Sequence, residues 1–164
     1  MSTVVGLETV ELAPDEIITL NDYPLYDMSV FRAYVDKSSR GENLPLVPVI
    51  EKDLVKKYIN DSLLQKLKLF EQTHPQARYF MLDGSHRTTA LTRAGRTISA
   101  VVYRSDNDIA IARDTASTGQ ILKSGTLDLS FAENCQVLDK HFTEKTYFMT
   151  VKEKTNKMAI EGLL

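Results

Sequence analysis

The sequence predicts an α/β (α+β) fold: a small mixed sheet with flanking helices, followed by a C-terminal helical extension. Short apolar runs alternate with segments of helical periodicity up to residue 104, and after that point the helical pattern prevails. The chain has 164 residues, of which 43% are apolar and 26% are charged, as in an ordinary globular protein. We therefore expect one domain at residues 7–104 and a helical extension at residues 105–164.

The elements of the predicted domain follow from periodicity and from breaker residues. The predicted strands lie within residues 9–20, 44–51, 79–82 and 97–103. The predicted helices lie within residues 26–41, 53–70 and 88–94. Asp27 is the expected N-cap of the first helix, and Asn60 with Asp61 is expected to break the second. Because Pro45 and Pro48 lack N–H donors, the strand at residues 44–51 should begin there or lie at a sheet edge. The continuous apolar run at residues 79–82 indicates a strand that is buried on both faces.

The extension is predicted to be helical within residues 105–114, 118–125 and 126–142. Near its end, Thr150 and Glu153 have the spacing of a capping box, in which two side chains satisfy the first N–H groups of a helix. The apolar positions of that last helix are Val151, Met158 and Ile160.

Composition excludes several classes of protein. The formal net charge is -2, which argues against a protein whose whole surface binds nucleic acid. A single cysteine, Cys135, allows neither an intramolecular disulfide nor a cysteine-rich metal site. No window is apolar enough to span a membrane, and the N-terminal residues lack the pattern of a signal peptide. The sequence therefore predicts a cytoplasmic protein without a membrane partner.

The segment that carries chemistry is the junction between the strand at residues 79–82 and the helix after it. Asp83 and Gly84 follow the strand directly. The start of a helix offers backbone N–H groups without partners and a partial positive charge, so it binds anions such as phosphate. Gly84 lets the backbone approach a ligand closely, and Asp83 can hold Mg²⁺ beside the phosphates.

The next five residues supply donors for the same anion. Ser85, Thr88 and Thr89 contribute hydroxyls, and Arg87 can grip an oxyanion with two N–H groups. His86 can donate a hydrogen bond or move a proton near neutral pH. The alternative is an ordinary turn in which Ser85 caps the helix and His86 and Arg87 are exposed helix residues. The residues alone leave both interpretations open.

With their flanking segments, these residues resemble the ParB/sulfiredoxin superfamily. The run "LPLVPV" matches the "PIxV" strand of that family, and Asp83, Gly84, His86 and Arg87 match its Asp-Gly-x-His-Arg motif. The run "ALTRAG" matches the end of the helix that follows the motif. The resemblance covers roughly residues 8–104 and implies a ParB/sulfiredoxin-like fold for that part.

Departures from the family pattern narrow the function that the resemblance implies. Sulfiredoxins have a cysteine where this chain has Ser85, and a hydroxyl cannot replace a thiolate in sulfinic-acid repair. Partition ParB proteins have Gly-Glu-Arg-Arg at residues 84–87 and carry additional DNA-binding and dimerisation domains. The Asp-Gly-x-His-Arg form is most similar to the free-serine kinases of the superfamily, although these have another histidine at the position of Ser85.

The first hypothesis is therefore an enzyme that transfers a phosphoryl group from ATP or ADP to a small hydroxyl compound such as free serine, or that hydrolyses the nucleotide. CTP remains open as the nucleotide, and Mg²⁺ is the expected metal. Residues 84–89 would bind the phosphates, and Asp83 would hold Mg²⁺. Asp83, His86 and Asp27 are the candidate catalytic residues, with Asp27 or Glu51 as general base.

The second hypothesis is a DNA-associated or regulatory module with nucleotide-gated binding of DNA or a partner. Five lysines in the extension favour it, although a solvated helix face explains them equally well. They are Lys140, Lys145, Lys152, Lys154 and Lys157. A ParB-like nuclease is a third alternative, for which Asp83, Asp106 and Asp108 are too few acids to support a two-metal site. Homodimerisation is left open.

Overall fold

A computed structural model of the chain describes residues 4–145 and 147–164. At its centre is a five-stranded mixed sheet in the spatial order β1-β5-β3-β4-β2. The strands are β1 (Glu8–Leu12), β2 (Ile17–Ile18), β3 (Val47–Glu51), β4 (Tyr79–Met81) and β5 (Ile98–Val102). The architecture confirms the predicted fold class, a mixed sheet with flanking helices and a helical C-terminal part.

The directions of the strands decide which loops meet. Strand β2 runs parallel to β4, with Ile18 beside Phe80, whereas β3 runs antiparallel to β4, with Val49 beside Met81. The carboxyl ends of β2 and β4 therefore lie at the same edge of the sheet as the start of β3. Asp22, four residues after β2, and Asp83, two residues after β4, both come to this edge.

The prediction of an edge position for the proline-containing strand is wrong, because β3 is the central strand. Pro45 precedes the strand, and Pro48 is its second residue, so the missing N–H groups fall where pairing begins. Pro48 still contributes an acceptor, since its carbonyl receives a hydrogen bond of 2.9 Å from the N–H of Leu82.

Seven helices surround the sheet in the described residues. They are α1 (Met28–Ser39), α2 (Lys52–Val55), α3 (Asp61–Thr73), α4 (Ser85–Arg93), α5 (Asp106–Thr115), α6 (Phe131–Lys145) and α7 (Val151–Ile160). The predicted N-cap Asp27 is confirmed, because its carboxylate accepts from the N–H groups of Ser29 and Val30. The predicted break at Asn60 is confirmed, and so is the capping box of Thr150 and Glu153.

Two predictions for the extension are wrong. Residues 118–125 are not an α-helix, because Gly119 adopts a left-handed φ of 82° and the carbonyl of Gln120 instead accepts from the N–H of Leu46 at 2.8 Å. Ile160 is not a core position. It is 86% exposed, whereas Val151 and Met158 on the same helix are buried.

The two faces of the sheet carry separate hydrophobic clusters, as the alternation of side chains along strands requires. On one face, Phe80 packs in a cluster that contains Leu138 and Phe142 of α6. On the other face, Tyr79 and Met81 share a cluster with Val151 of α7. The division at residue 104 stays a prediction, but both of these helices of the extension contribute to the core around the sheet. In the stretches that the structure describes, no helix combines the length and apolarity needed to cross a membrane.

Phe142 tests how far the extension supports the sheet. Its ring is 2% exposed and lies 5.4 Å from the ring of Phe80 in β4. We expect Phe142→Ala to lower the free energy of unfolding by about 3–5 kcal/mol, through lost burial and the cavity that remains. Denaturant unfolding measures this change. Leu69→Ala, at a position that is 65% exposed, is the control and should cost less than about 0.5 kcal/mol. Equal effects of the two substitutions would contradict a shared core.

Candidate functional site

An open cavity of about 240 Å³ lies at the sheet edge where β2 and β4 end. Its walls come from Leu20 and Asp22 after β2, from three residues of the α1 region, from residues 83–87 and from Leu122. The structure thus brings five of the sequence-predicted site residues, at positions 83–87, into one cavity. Ligands of open α/β sheets commonly bind at this kind of edge.

Gly84 shapes the floor of the cavity. It has a left-handed φ of 109° and is the N-cap of α4, so Ser85 is the first helical residue rather than the cap. An added Cβ would lie 3.3 Å from Nη2 of Arg87 and 3.4 Å from Cγ1 of Val47. Both the backbone conformation and the close approach therefore favour glycine here.

The start of α4 differs from that of the other long helices. The helices α1, α3, α5, α6 and α7 each have a side chain that accepts from a first-turn N–H group. At α4 no side chain does so, and the N–H groups of Ser85, His86 and Arg87 have no hydrogen-bond partner among the described residues. Three donors and the positive end of a helix dipole are thus available at the cavity.

Ser85 is tied to two residues that the sequence analysis did not single out. Its hydroxyl donates to Oδ1 of Asp22 at 2.8 Å. The same oxygen accepts from Nζ of Lys154 in α7 at 2.6 Å, and Nζ also lies 3.4 Å from the carbonyl of Leu20. The loop after β2, the start of α4 and the C-terminal helix therefore meet at one carboxylate oxygen.

Lys154 corrects the interpretation of the lysines in the extension as a solvated face or DNA surface. Its side chain is only 2% exposed, and that of its partner Asp22 is 41% exposed. Burial lowers the pKa of Lys154, while the Asp22 carboxylate acts in the opposite direction. Lys154 is thus unable to contact DNA phosphates in this structure, and its cation contributes to the potential beside the cavity instead.

Arg87 is held almost entirely by protein oxygens. It is 3% exposed, and its Nη1 donates to the carbonyls of Pro45 and Leu46 at 3.1 and 2.6 Å. Its Nη2 donates to Oδ2 of Asp83 at 3.2 Å. Burial lowers the pKa of Arg87 and the Asp83 carboxylate opposes this, but a guanidinium keeps its charge in proteins. Arg87 therefore orients the loop before β3 and supplies positive charge at the wall of the cavity.

The two threonines predicted to bind phosphate point their hydroxyls into the helix. Oγ1 of Thr88 donates to the carbonyl of Gly84 at 2.9 Å, and Oγ1 of Thr89 donates to that of Ser85 at 2.7 Å. Both residues are 1% exposed and do not line the cavity. Their part in phosphate binding stays a prediction that these contacts do not favour.

His86 lines the cavity, whereas the carboxylate of Asp27 does not. Asp27 approaches the site through its backbone N–H, which lies 3.3 Å from Nε2 of His86. Its carboxylate accepts from Ser29 and Val30, and these hydrogen bonds hold the pKa of Asp27 below its usual range. A general base works best with a pKa near the working pH, so Asp27 is poorly suited to that role.

Glu51, the other candidate base, lies at the opposite edge of the sheet. It pairs with Tyr79, the first residue of β4, and its carboxylate accepts from Arg104 at 2.6 Å. Asp22 takes the place that Asp27 and Glu51 were expected to fill. Its Oδ2 has no hydrogen-bond partner among the described residues, and its side chain lines the cavity.

Comparison with known proteins gave no match: no protein-family model, no curated protein and no solved structure is similar to this chain. The resemblance to the ParB/sulfiredoxin superfamily therefore depends on the motif residues and stays a hypothesis.

The Lys154–Asp22 pair makes an asymmetric prediction. Asp22→Ala leaves a buried cation without its partner and should lower the free energy of unfolding by about 3–5 kcal/mol at pH 7. Lys154→Met leaves a half-exposed carboxylate that water can solvate, and methionine fills the apolar space, so the loss should stay below about 1 kcal/mol. Denaturant unfolding of both variants checks this order.

The control for this pair is Lys152→Met, an exposed position two residues earlier on α7, which should change stability by less than about 0.5 kcal/mol. A larger loss for Lys154→Met than for Asp22→Ala would show that the cation is not the costly member of the pair.

Proposed function

We propose that this protein is a nucleotide-phosphate-binding enzyme with a ParB/sulfiredoxin-like fold. It would transfer a phosphoryl group from ATP or ADP to a small hydroxyl compound, with free serine the first to test, or would hydrolyse the nucleotide. The observation that carries this proposal is the start of α4, where three backbone N–H groups without partners among the described residues lie beside a cavity. A helix start of this kind suits phosphate oxygens.

The charges around the cavity support an anionic ligand. Arg87 and Lys154 are both buried cations, and each is compensated by only one carboxylate, Asp83 and Asp22 respectively. These carboxylates are 44% and 41% exposed, so they remain accessible to a metal ion or a substrate hydroxyl. Neither cation is available for a direct bidentate grip, so backbone donors would make the closest phosphate contacts.

Mg²⁺ fits the donors at this site. Oδ2 of Asp83 is 3.2 Å from Arg87, and the other carboxylate oxygen has no partner in the described residues. No cluster of three or more potential ligands is present among residues 4–145 and 147–164. This matches a Mg²⁺ ion held by one or two carboxylates together with substrate phosphates. When bound, the ion would neutralise charge on the transferring phosphoryl group.

The protein residues would mainly position the reactants, which supplies most of the rate in phosphoryl transfer. The N–H groups of residues 85–87 would orient the phosphates. His86 accepts from Asp27 at Nε2, so its ring carries the proton on Nδ1 and can donate there. Asp22, with Oδ1 occupied by Ser85 and Lys154, can use Oδ2 to accept the proton of an incoming hydroxyl. We also infer a cytoplasmic location, where both nucleotides are available.

Asp83→Asn tests this assignment. Asparagine keeps the shape of the side chain and an acceptor for Arg87, but it removes the charge that would hold Mg²⁺. We expect Mg²⁺-dependent turnover of ATP or ADP, followed by ³¹P NMR with free serine and other small hydroxyl compounds, to fall about 100-fold or more, which is about 2.7 kcal/mol of barrier.

The matched control is Asp53→Asn, whose side chain is 78% exposed on α2 at the opposite edge of the sheet. It should retain wild-type turnover. Equal turnover in Asp83→Asn and Asp53→Asn would remove Asp83 from the mechanism. Absence of turnover with either nucleotide in the wild type would contradict the enzymatic proposal itself.

A further inference from the structure

A second cavity, of about 450 Å³, lies on the other side of Asp83 from the first. It is enclosed by the end of β4, by the 3-10 segment Gly125–Asp128 and by α6. Its walls are mainly apolar and include Leu82, Leu129, Val137 and Leu138. This volume is within the usual range of small-molecule sites, which are concave and mostly apolar with a few polar groups.

The two cavities are neighbours along one groove. Leu20 and Asp83 line both of them. The first has the helix start and the charged side chains, whereas the second has most of the apolar surface. A ligand with an anionic end and a flat apolar end would therefore meet a complementary wall at each end.

The second cavity also has a polar group in its wall. Nε2 of His141 accepts from the N–H of Asn21 at 2.8 Å. Burial lowers the pKa of His141, so the neutral ring carries its proton on Nδ1. No described residue accepts from Nδ1. The ring thus has a donor that a ring nitrogen or carbonyl of a ligand can use.

The segment that closes the cavity is fixed from below. Asn134 of α6 is 2% exposed, and its side-chain amide donates to the carbonyls of Thr126 and Ser130 at 3.0 Å each. The 3-10 segment is therefore held against α6, and the cavity is formed before any ligand arrives.

We propose that the second cavity binds the nucleoside part of the nucleotide whose phosphates occupy the first. This inference rests on the proposed function and deepens it. A nucleobase buries flat apolar surface and offers acceptors to His141. A small acceptor such as free serine is charged and would gain little from apolar walls, so it is expected in the first cavity near Asp22.

The test compares two ligands that differ only in having a nucleoside: ATP and inorganic tripolyphosphate, each titrated calorimetrically with Mg²⁺. Val137→Trp fills the second cavity from a position that is 53% exposed on α6. It should weaken ATP binding on the order of tenfold, or about 1.4 kcal/mol, and leave tripolyphosphate binding unchanged. Leu69→Trp, 65% exposed on α3 and outside both cavities, should change neither.

A second variant keeps the test valid if Val137→Trp does not fold. An added Cβ at Gly125, in the wall of the cavity, would meet nothing within 4 Å, so Gly125→Val should be tolerated and should also weaken ATP selectively. Wild-type ATP affinity in these variants, or wild-type protein that binds tripolyphosphate but not ATP, would overturn the nucleoside site alone. Wild-type protein that binds neither ligand would overturn the proposed function and this inference with it.

Discussion

The guanidinium of Arg87 lies where β3 begins, β4 ends and α4 starts. Its donors join the carbonyls before β3 to the carboxylate of Asp83 after β4. Because the group is 3% exposed, these contacts replace its hydration, and losing one would leave a buried charge poorly compensated. The sheet edge, the left-handed Gly84 and the direction of α4 all depend on this clamp. An arginine that the motif suggests as a phosphate ligand is here first a structural residue.

A second constraint comes from the far end of the chain. Lys154 of α7 reaches the loop after β2 through Asp22, and Asp22 also holds the hydroxyl of Ser85. The first turn of α4 is thus oriented by a residue more than sixty positions later in sequence. Since Phe142 and Val151 pack against opposite faces of the sheet, the extension contributes both to the core and to the geometry of the site. Sites of this kind work when such surrounding contacts hold the reacting groups in place.

Much of the fold followed from local signals in the sequence. Periodicity, breakers and caps located four strand regions and the helices α1, α3 and α4, because these signals act within a few residues. The central position of β3 was missed because pairing partners lie far away in sequence. Residues 118–125 were misassigned because Gly119 and the contact of Gln120 with Leu46 outweigh a weak helical pattern.

The candidate site was predicted only in part, for the same physical reason. Residues 83–87 are contiguous, so a motif could indicate them. Asp22 comes to the site through the parallel pairing of β2 with β4, which no local pattern reveals. Lys154 did leave a signal: it lies between Val151 and Met158 on the apolar stripe of α7, and a lysine at such a position indicates a buried partner.

The claim on which the rest depends is that phosphate binds at the start of α4. The most direct measurement is a titration of ¹⁵N-labelled protein with inorganic tripolyphosphate, followed through the backbone amide resonances. Hydrogen bonds from a helix start to phosphate should shift the amides of Ser85, His86 and Arg87 more than any others. Unchanged resonances at these three residues with saturating tripolyphosphate, or the largest changes elsewhere in the chain, would contradict it.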